Sequence, residues 1–532
     1  MKFFAAVNQT HDNLEIPKSG IINSRLQKSS SQLSEDLLSE WSTLLIKSGA
    51  TNRALDELKK LSKSDTLCIV GGQQIGIGLG PLLTIYKIAS IDALSELLSK
   101  KLNHAIIPVF WLQTEDHDLE EISTITLPDS SGKTVITRFF PADISKNNRI
   151  SVGAIRINDE LDNTISSIKD QFRVTDDNEI FKTFTNCYQK NKTLSQAFIS
   201  LYYKLFPESK VVIFDPRLNA FNKAGKQIFL KALMEHRKIS ELLENETKVL
   251  ASAGYSVPIN IRPDSPLFFF HPEGPDKSRY RLRVTRSDEF ITPDEKVYSK
   301  KMLVEMINDS TNHFSSSALL RPLIQDYILP SVCFVGGETE LAYIKQANPL
   351  YSLFSIHKPL AIPRARGLFI DEKIIHYIEK KSVLPDQLLS LGMNDLNRVF
   401  VDSNKLENKR KQLEEKLKQS LIDLENTLNN EGINTIPDLE KPLKKTLNTI
   451  NESLSKLLSK YMQHIDRNNE IDSGRLQRIS EILYPDNKPQ ERVFSGLWPF
   501  IQPKDMLDSP SSKIIFNTIK NAYDSYLAGR LK

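Results

Sequence analysis

The stretch from Thr66 to Asp118 limits the fold more than any other part of the chain. It reads Thr66-Leu-Cys-Ile-Val-Gly71-Gly72-Gln73-Gln74, then Gly76-x-Gly78-x-Gly80-Pro81, then an amphipathic helix carrying Tyr86 and Lys87. Ala105-Ile-Ile-Pro-Val-Phe-Trp-Leu112 and Glu115-Asp116-His117-Asp118 follow. A short apolar run that stops on paired glycines, a glycine-rich turn, a proline suited to the first helical position and a second apolar run predict a βαβ unit. Such a unit commits the chain to a parallel sheet, and ligands of open parallel sheets collect outside the carboxyl ends of the strands. The Gln pair and the acidic-His run both sit directly after predicted strand ends.

The pattern returns at Ser331-Val-Cys-Phe-Val-Gly336-Gly337-Glu338-Thr-Glu340, ahead of a helix carrying Glu340, Tyr343 and Lys345. Two parallel strands that end alike deliver their polar groups to one crevice. Further strands are expected at Lys210–Pro216, ending in Asp215, and at Leu360–Ile362, which precedes Arg364 and Arg366. Residues 1 to about 64 read as a helical lead-in, with Leu37, Trp41, Leu45, Leu55 and Leu58 at helical spacing. Short β-like runs at 122–127, 135–140 and 149–157 suggest an antiparallel insertion. Helices are expected over 159–172, 192–206 and 217–250, and a β-rich insertion over 255–300.

From about 376 the composition changes: Lys, Glu, Asn, Ser and Leu dominate and aromatics almost vanish. Leu443, Leu447, Ile450, Leu454, Leu457 and Tyr461 alternate four- and three-residue steps, the seam of a coiled coil. Leu406, Leu413, Leu417 and Leu424 make a weaker seam before the break at Asn429–Gly432 and Pro437. The expectation is an antiparallel helical hairpin, each arm about 40 Å long, used for self-association. Aromatic-rich sequence returns at Gln490–Phe494 and Trp498-Pro-Phe500, a tail expected to dock on the core. The resulting division is 1–375 for an α/β core with insertions at about 122–206 and 255–315, 376–484 for the coiled coil, and 485–532 for the tail.

At 532 residues the chain exceeds one core. Its 70 basic and 66 acidic residues leave a net charge of +4, too balanced to announce a nucleic-acid binder. Three cysteines, Cys68, Cys187 and Cys333, lack metal-type spacing and read as buried thiols of a reducing cytoplasm. The opening apolar run is too short for a signal peptide, and no apolar stretch approaches the length that spans a bilayer.

Each chemical signal has a structural competitor. The glycine loop is not a Walker loop, since no Gly-Lys-Ser/Thr follows. Its backbone N–H groups could meet a phosphate or carboxylate, against the alternative of tight strand-to-helix packing. Glu115, Asp116, His117 and Asp118 suit general acid/base work or divalent-cation capture, against an acidic helix start. A structural zinc is not expected, whereas Mg²⁺ accompanying a nucleotide would suit these oxygens. Glu338, Glu340 and Tyr343 share the ambiguity of helix starts, and Lys87 competes with a solvated surface lysine. Arg262, Arg279, Arg281, Arg283 and Arg286 form an alternating basic stretch that could meet phosphate, against the favoured alternative of an exposed β-face.

The residues Gly72-Gln-Gln-x-Gly76-x-x-x-Gly80-Pro81-Leu-x-Thr84-x-Tyr86-Lys87, Pro108-Val-Phe-Trp111, Glu115–Asp118, Gly336-Gly-Glu338-x-Glu340-x-x-Tyr343 and Gln490-Glu-Arg-Val493 resemble the cysteine ligase family of bacillithiol biosynthesis, BshC. The resemblance covers nearly the whole chain. It implies a Rossmann-like core with inserted connecting-peptide elements, similar to class I aminoacyl-tRNA synthetases, and a coiled coil that makes a homodimer. It also implies a carbon–nitrogen ligase that adds L-cysteine to the amine of glucosaminyl-malate. An ADP-type nucleotide near the coiled-coil junction is implied too, and is carried onto Arg492, Phe494 and Trp498. One departure is Ser495, where the family pattern has asparagine.

The expectations are therefore specific. Catalysis falls to His117, with Asp116, Asp118 and Glu115 beside it, His117 and an adjacent carboxylate taking the amine proton. Substrate contacts fall to Gly72, Gln73, Gln74, Gly80, Tyr86, Lys87, Gly337, Glu338, Glu340 and Tyr343. ATP or ADP is the expected nucleotide, no resident metal is assigned, and neither nucleic acid nor membrane is an expected partner. The competing function is a nucleotide-binding scaffold or regulator assembled through its coiled coil.

Overall fold

A computed structural model describes residues 2–6, 33–129, 133–171, 174, 178–285, 288–309, 313–370, 372–380, 388, 403–428, 430, 438, 440–501 and 512–530. The chain divides into two compact units, one formed by Met1–Ser130, Thr134–Glu372 and Lys488–Lys532, the other chiefly by Lys373–Asn487.

Five strands make the core of the first unit: β1 (Leu67–Gln73), β2 (Ile106–Leu112), β3 (Val212–Phe214), β4 (Ser331–Gly336) and β5 (Leu360–Pro363). Their order is β5-β4-β1-β2-β3, and every pairing is parallel. The two runs that end on Gly-Gly are neighbours, Val335 lying opposite Gly71, while Gly72 pairs with Trp111 and Gln73 with Leu112. Strands β2 and β3 are buried along their whole length, as a parallel sheet covered on both faces requires.

Helix α1 (Leu83–Leu102) returns the chain from β1 to β2 and buries residues on nearly every side. The helix Ser512–Arg530 packs against it. The lead-in helices Glu35–Lys47 and Asn52–Lys60 begin on Ser34 and Thr51, whose hydroxyls accept N–H bonds of the first turn. Trp41 donates its indole N–H to the carbonyl of Ile213 at 2.7 Å, fixing the first of them to β3.

The insertions follow the sequence expectation in part. Thr124–Pro128 and Thr134–Arg138 pair antiparallel, and Phe268–His271 lies between His313–Ser316 and Tyr280–Arg281. The run 149–157 is not a continuous strand: it makes a single tight turn at Val152–Ala154, because its backbone bonds are divided among residue 279, residues 114–116 and residues 191–194. The helix expected over 217–250 is two, Asn219–Met234 and His236–Ser252, broken at Glu235.

The second unit holds two long helices, Ser403–Leu428 and Glu440–Leu483, which pack on each other. At 1.5 Å per residue the first is about 39 Å long, as expected, and the second about 66 Å. On the first helix the half-buried stripe is Glu414, Leu417, Leu421 and Leu428, while Leu413 and Leu424 are exposed. The seam read from the leucines was therefore displaced around the helix. On the second, Leu447, Ile450 and Leu454 are half-buried as expected, whereas Leu457 of the same expected seam is exposed. The break at Asn429–Gly432 and Pro437 lies, Asn430 apart, outside the described residues, as does Arg286.

Candidate active site

Two polar clusters form where the strands end, and the backbone couples them. Gln113 N–H donates to the carbonyl of Gln73 at 3.0 Å, extending the β1–β2 ladder, and the Gln74 side chain donates to the carbonyl of Asp118 at 3.2 Å. The loop after β2 therefore folds back over the end of β1.

The first cluster centres on Lys87. Its side chain is almost wholly enclosed, so the competing reading of a solvated surface lysine is overturned. The ammonium donates to the Gly72 carbonyl at 2.5 Å, to Gln73 Oε1 at 2.9 Å and to Glu340 Oε2. Glu340 Oε2 also accepts the Gly337 N–H at 2.9 Å, which closes the start of the helix Glu338–Gln346. Burial brings the Lys87 pKa down to about 8 against the pull of Glu340. Lys87, Gln73, Gly72, Gly337 and Glu340 are thus brought together as predicted.

Other residues of that expectation are elsewhere. Tyr86 is fully buried and packs its ring 6.3 Å from that of Phe369. Tyr343 is enclosed and accepts a hydrogen bond from Arg321, and Glu338 is exposed, 3.7 Å from Arg366. Gly80 does not face a ligand. Gly78, Leu79 and Gly80 all have positive φ (63°, 68° and 66°), and the loop they form is clasped by the tail. Ser495 Oγ donates to the Gly78 carbonyl at 3.1 Å and the Gly496 N–H to the Gly80 carbonyl at 2.6 Å. A Cβ at Gly76 would come within 2.6 Å of the Gly80 Cα, so the glycine spacing answers to close packing.

The second cluster lies after β2. Asp215, directly after β3, accepts from Thr114 Oγ1 at 2.5 Å and from Ser195 Oγ at 2.6 Å. Burial favours its neutral form, yet Arg217 and these hydroxyls hold its pKa below the usual carboxylate value. Segment 148–153 then stitches the next residues down. Gly153 and Val152 donate to the carbonyls of Thr114 and Asp116, Ser151 to that of Glu115, and Asn148 to that of His117.

Arg279, expected on an exposed face, is buried and organises this cluster. Its guanidinium donates to Asp116 Oδ1 at 3.1 Å, His117 Nδ1 at 3.0 Å, Ser315 Oγ at 2.9 Å and the Ser316 carbonyl at 3.0 Å. It also lies 3.6 Å over the Phe269 ring. A guanidinium can only donate, so Nδ1 of His117 is the acceptor and the ring proton sits on Nε2. Burial and Arg279 together hold the His117 pKa below the ordinary imidazole value, against the pull of Asp116. The neutral side chain is 28% exposed and carries its proton on Nε2.

In that geometry the lone pair that a general base would use is engaged by Arg279. The acidic run does not converge either. Asp116 accepts from Arg279, and Asp118 caps the short helix Leu119–Ile122 through the Glu121 N–H. Burial raises the Glu115 pKa to about 8, so this acid is mostly protonated at neutral pH. Among the described residues no three acidic, imidazole or thiol groups are placed to share a metal ion, and the run does not fit Mg²⁺. Cys68, Cys187 and Cys333 are buried free thiols.

Of the three residues carried over for a nucleotide, Arg492 is exposed, whereas Phe494 and Trp498 pack in the core with ring centroids 4.8 Å apart. Their neighbours tie the tail to the core. Gln490 exchanges hydrogen bonds with the backbone of Phe369, and Glu491 pairs with Arg364 at 2.7 Å, both side chains buried.

A parallel Rossmann-like sheet with polar clusters at its strand ends, joined in sequence to a helical coiled coil, defines the class. Two family models match: the N-terminal Rossmann-like domain of bacillithiol biosynthesis BshC over residues 5–365 and the C-terminal coiled-coil domain of BshC over 367–502. The chain belongs to the BshC family. Relatives named "Putative cysteine ligase BshC" include that of Oceanobacillus iheyensis, 24% identical over 85% of this chain and 83% of the relative. That of Anoxybacillus flavithermus is 26% identical over 84% and 83%, and that of Chlorobaculum tepidum 27% identical over 83% and 79%.

Arg279 is the residue of this cluster that sequence reasoning misplaced, on an exposed face. The signal was present in the alternation of arginines from 279 to 283, but no pattern tells which member turns inward.

Proposed function

We propose that the protein joins L-cysteine through its carboxyl group to the amine of glucosaminyl-malate, forming bacillithiol, with ATP activating the carboxylate. The Arg279–His117 arrangement at the end of β2 carries this reading, in a family whose relatives bear the name of cysteine ligases. Amide formation from a free carboxylate in water is uphill, so an activated acyl group is a chemical requirement. Its attack by an amine builds negative charge on oxygen. The Nε2–H of a neutral His117, held by Arg279 in one tautomer, is a donor for that oxygen. Lys87 holds Gln73 by its Oε1 atom, which leaves the amide Nε2 as a second donor for a substrate. Lys87 and Glu340 act as positioning residues, since neither is open enough to be consumed.

ATP supplies the activation, and any Mg²⁺ would be held chiefly by its phosphates. Exposed Leu413, Ile422, Leu424 and Leu457 on the long helices support a homodimer, which sedimentation of the full chain tests. Among the described residues no helix is long and apolar enough to cross a membrane, and the three free thiols suit a reducing cytoplasm.

Incubating the protein with L-cysteine, glucosaminyl-malate and ATP should give the condensed thiol together with AMP or ADP, read by mass spectrometry. Absence of both products would overturn the reading. His117→Ala should slow turnover about 100-fold or more. His117→Gln, which can accept from Arg279 and still donate, should recover part of that loss; equal defects in the two variants would restore a general base.

A further inference from the structure

A pocket lies beside the second cluster, with Phe269, the ring under Arg279, in its wall. Its empty volume is about 440 Å³, open solvent at the mouth included, and its walls include Ile261, Pro266, Phe268, Phe269 and Leu319. Arg262 and Arg281 also line it. Neither guanidinium forms a hydrogen bond or ion pair with another described residue, although Arg281 lies 5.3 Å from the centre of the Phe269 ring. Partial burial and the proximity of Arg262 hold the Arg281 pKa below its ordinary value, with Asp264 opposing. Two like charges crowded at the edge of an apolar pocket repel each other, and a bound anion relieves that repulsion. Arginine forks match the planar oxygens of carboxylates.

We propose that this pocket binds a small molecule through its carboxylate groups. Resting on the ligase reading above, it is the subsite for the malyl part of the amine acceptor. The site stands one aromatic ring from the chemistry: Phe269 forms its wall and carries Arg279 on the ring, with the His117 ring centroid 6.1 Å away. Free cysteine fits poorly, because among the described residues no acidic side chain lines the pocket to receive an ammonium group. A polyphosphate is less suited too, since among the described residues no glycine-rich turn lines it to offer a row of backbone N–H donors.

The test is calorimetric titration of the full chain with glucosaminyl-malate alone, with glucosamine alone and with ATP alone. Glucosaminyl-malate should bind the wild type, and glucosamine, which lacks the carboxylates, about tenfold or more weakly. The double variant Arg262→Gln/Arg281→Gln should lose about tenfold to a hundredfold in affinity for glucosaminyl-malate, with ATP binding unchanged. Both side chains are exposed, so the melting temperature should hold and report an intact fold. Unchanged glucosaminyl-malate binding in the double variant overturns the proposal, as does a loss confined to ATP or a wild type indifferent to the carboxylates. If the wild type binds glucosaminyl-malate with the predicted arginine dependence yet yields no condensed thiol, the ligase reading fails and the pocket assignment stands.

Discussion

Glu115 offers the sharpest physical test of the site, through the substitution Glu115→Gln. The carboxyl group is 7% exposed and faces Ser316, whose hydroxyl lies 3.4 Å from Oε2. Burial, reinforced by Asp215 and opposed by Arg279, raises its pKa from the ordinary 4.5 to about 8. An acid whose pKa is higher in the folded state binds an extra proton there between those two values. Folding stability contributed by the group is then complete below about pH 4.5 and is lost as pH rises through 8. At about 1.4 kcal/mol for each pH unit, the whole interval amounts to at most about 5 kcal/mol. Glutamine copies the neutral acid and has nothing to ionise. Urea denaturation of both proteins between pH 5 and 9 should give similar midpoints at pH 5. By pH 9 the variant should be more stable by about 2–5 kcal/mol. Parallel curves, or a variant weaker at every pH, would mean that Glu115 is ionised and paired with Arg279. The guanidinium would then answer to two carboxylates, and the account of a neutral His117 would fall with it.

Three further outcomes follow from the geometry. Replacing Arg279 with Met removes a positive charge about 3 Å from the His117 ring, so His117 should titrate at least about one pH unit higher by proton NMR, and turnover should fall with it. Gly78→Ala places a Cβ 3.0 Å from both Ser495 Oγ and the end of Ile125 at a φ of +63°, which should lower stability by about 2 kcal/mol in chemical denaturation. Arg364→Met alone should cost up to about 3 kcal/mol, because buried Glu491 keeps only Arg366 and the Gly367 N–H, whereas Arg364→Met/Glu491→Leu should regain part of that loss.

The parallel core was legible because periodicity and punctuation agreed. Buried strands such as Leu67–Gln73 carry continuous apolar runs that stop on glycine, and the helix after Pro81 has the apolar content to cover them, although it is buried nearly all round rather than amphipathic as expected. The convergence of Gln73, Lys87 and Glu340 was also legible, because adjacent parallel strands deliver similar endings to one side. Other features depend on contacts that no local pattern encodes. Whether a glycine serves a ligand or a neighbouring backbone depends on what lies opposite, and here that is Ser495, 417 positions away from Gly78. Arg279 and Arg281 share one alternating stretch, yet only the partners at Asp116, Ser315 and Ser316 decide that the former turns inward. The coiled-coil seam shows the same limit, since leucines alone cannot say which stripe of a polar helix meets a partner.

The clasp of Ser495 and Gly496 over the glycine loop sets an order on the birth of the protein. The loop after β1 emerges early in synthesis, but its closing contacts arrive only after the two long helices have been made. A chain halted anywhere before residue 495 therefore leaves the ribosome with that turn uncovered, its closing contacts not yet made.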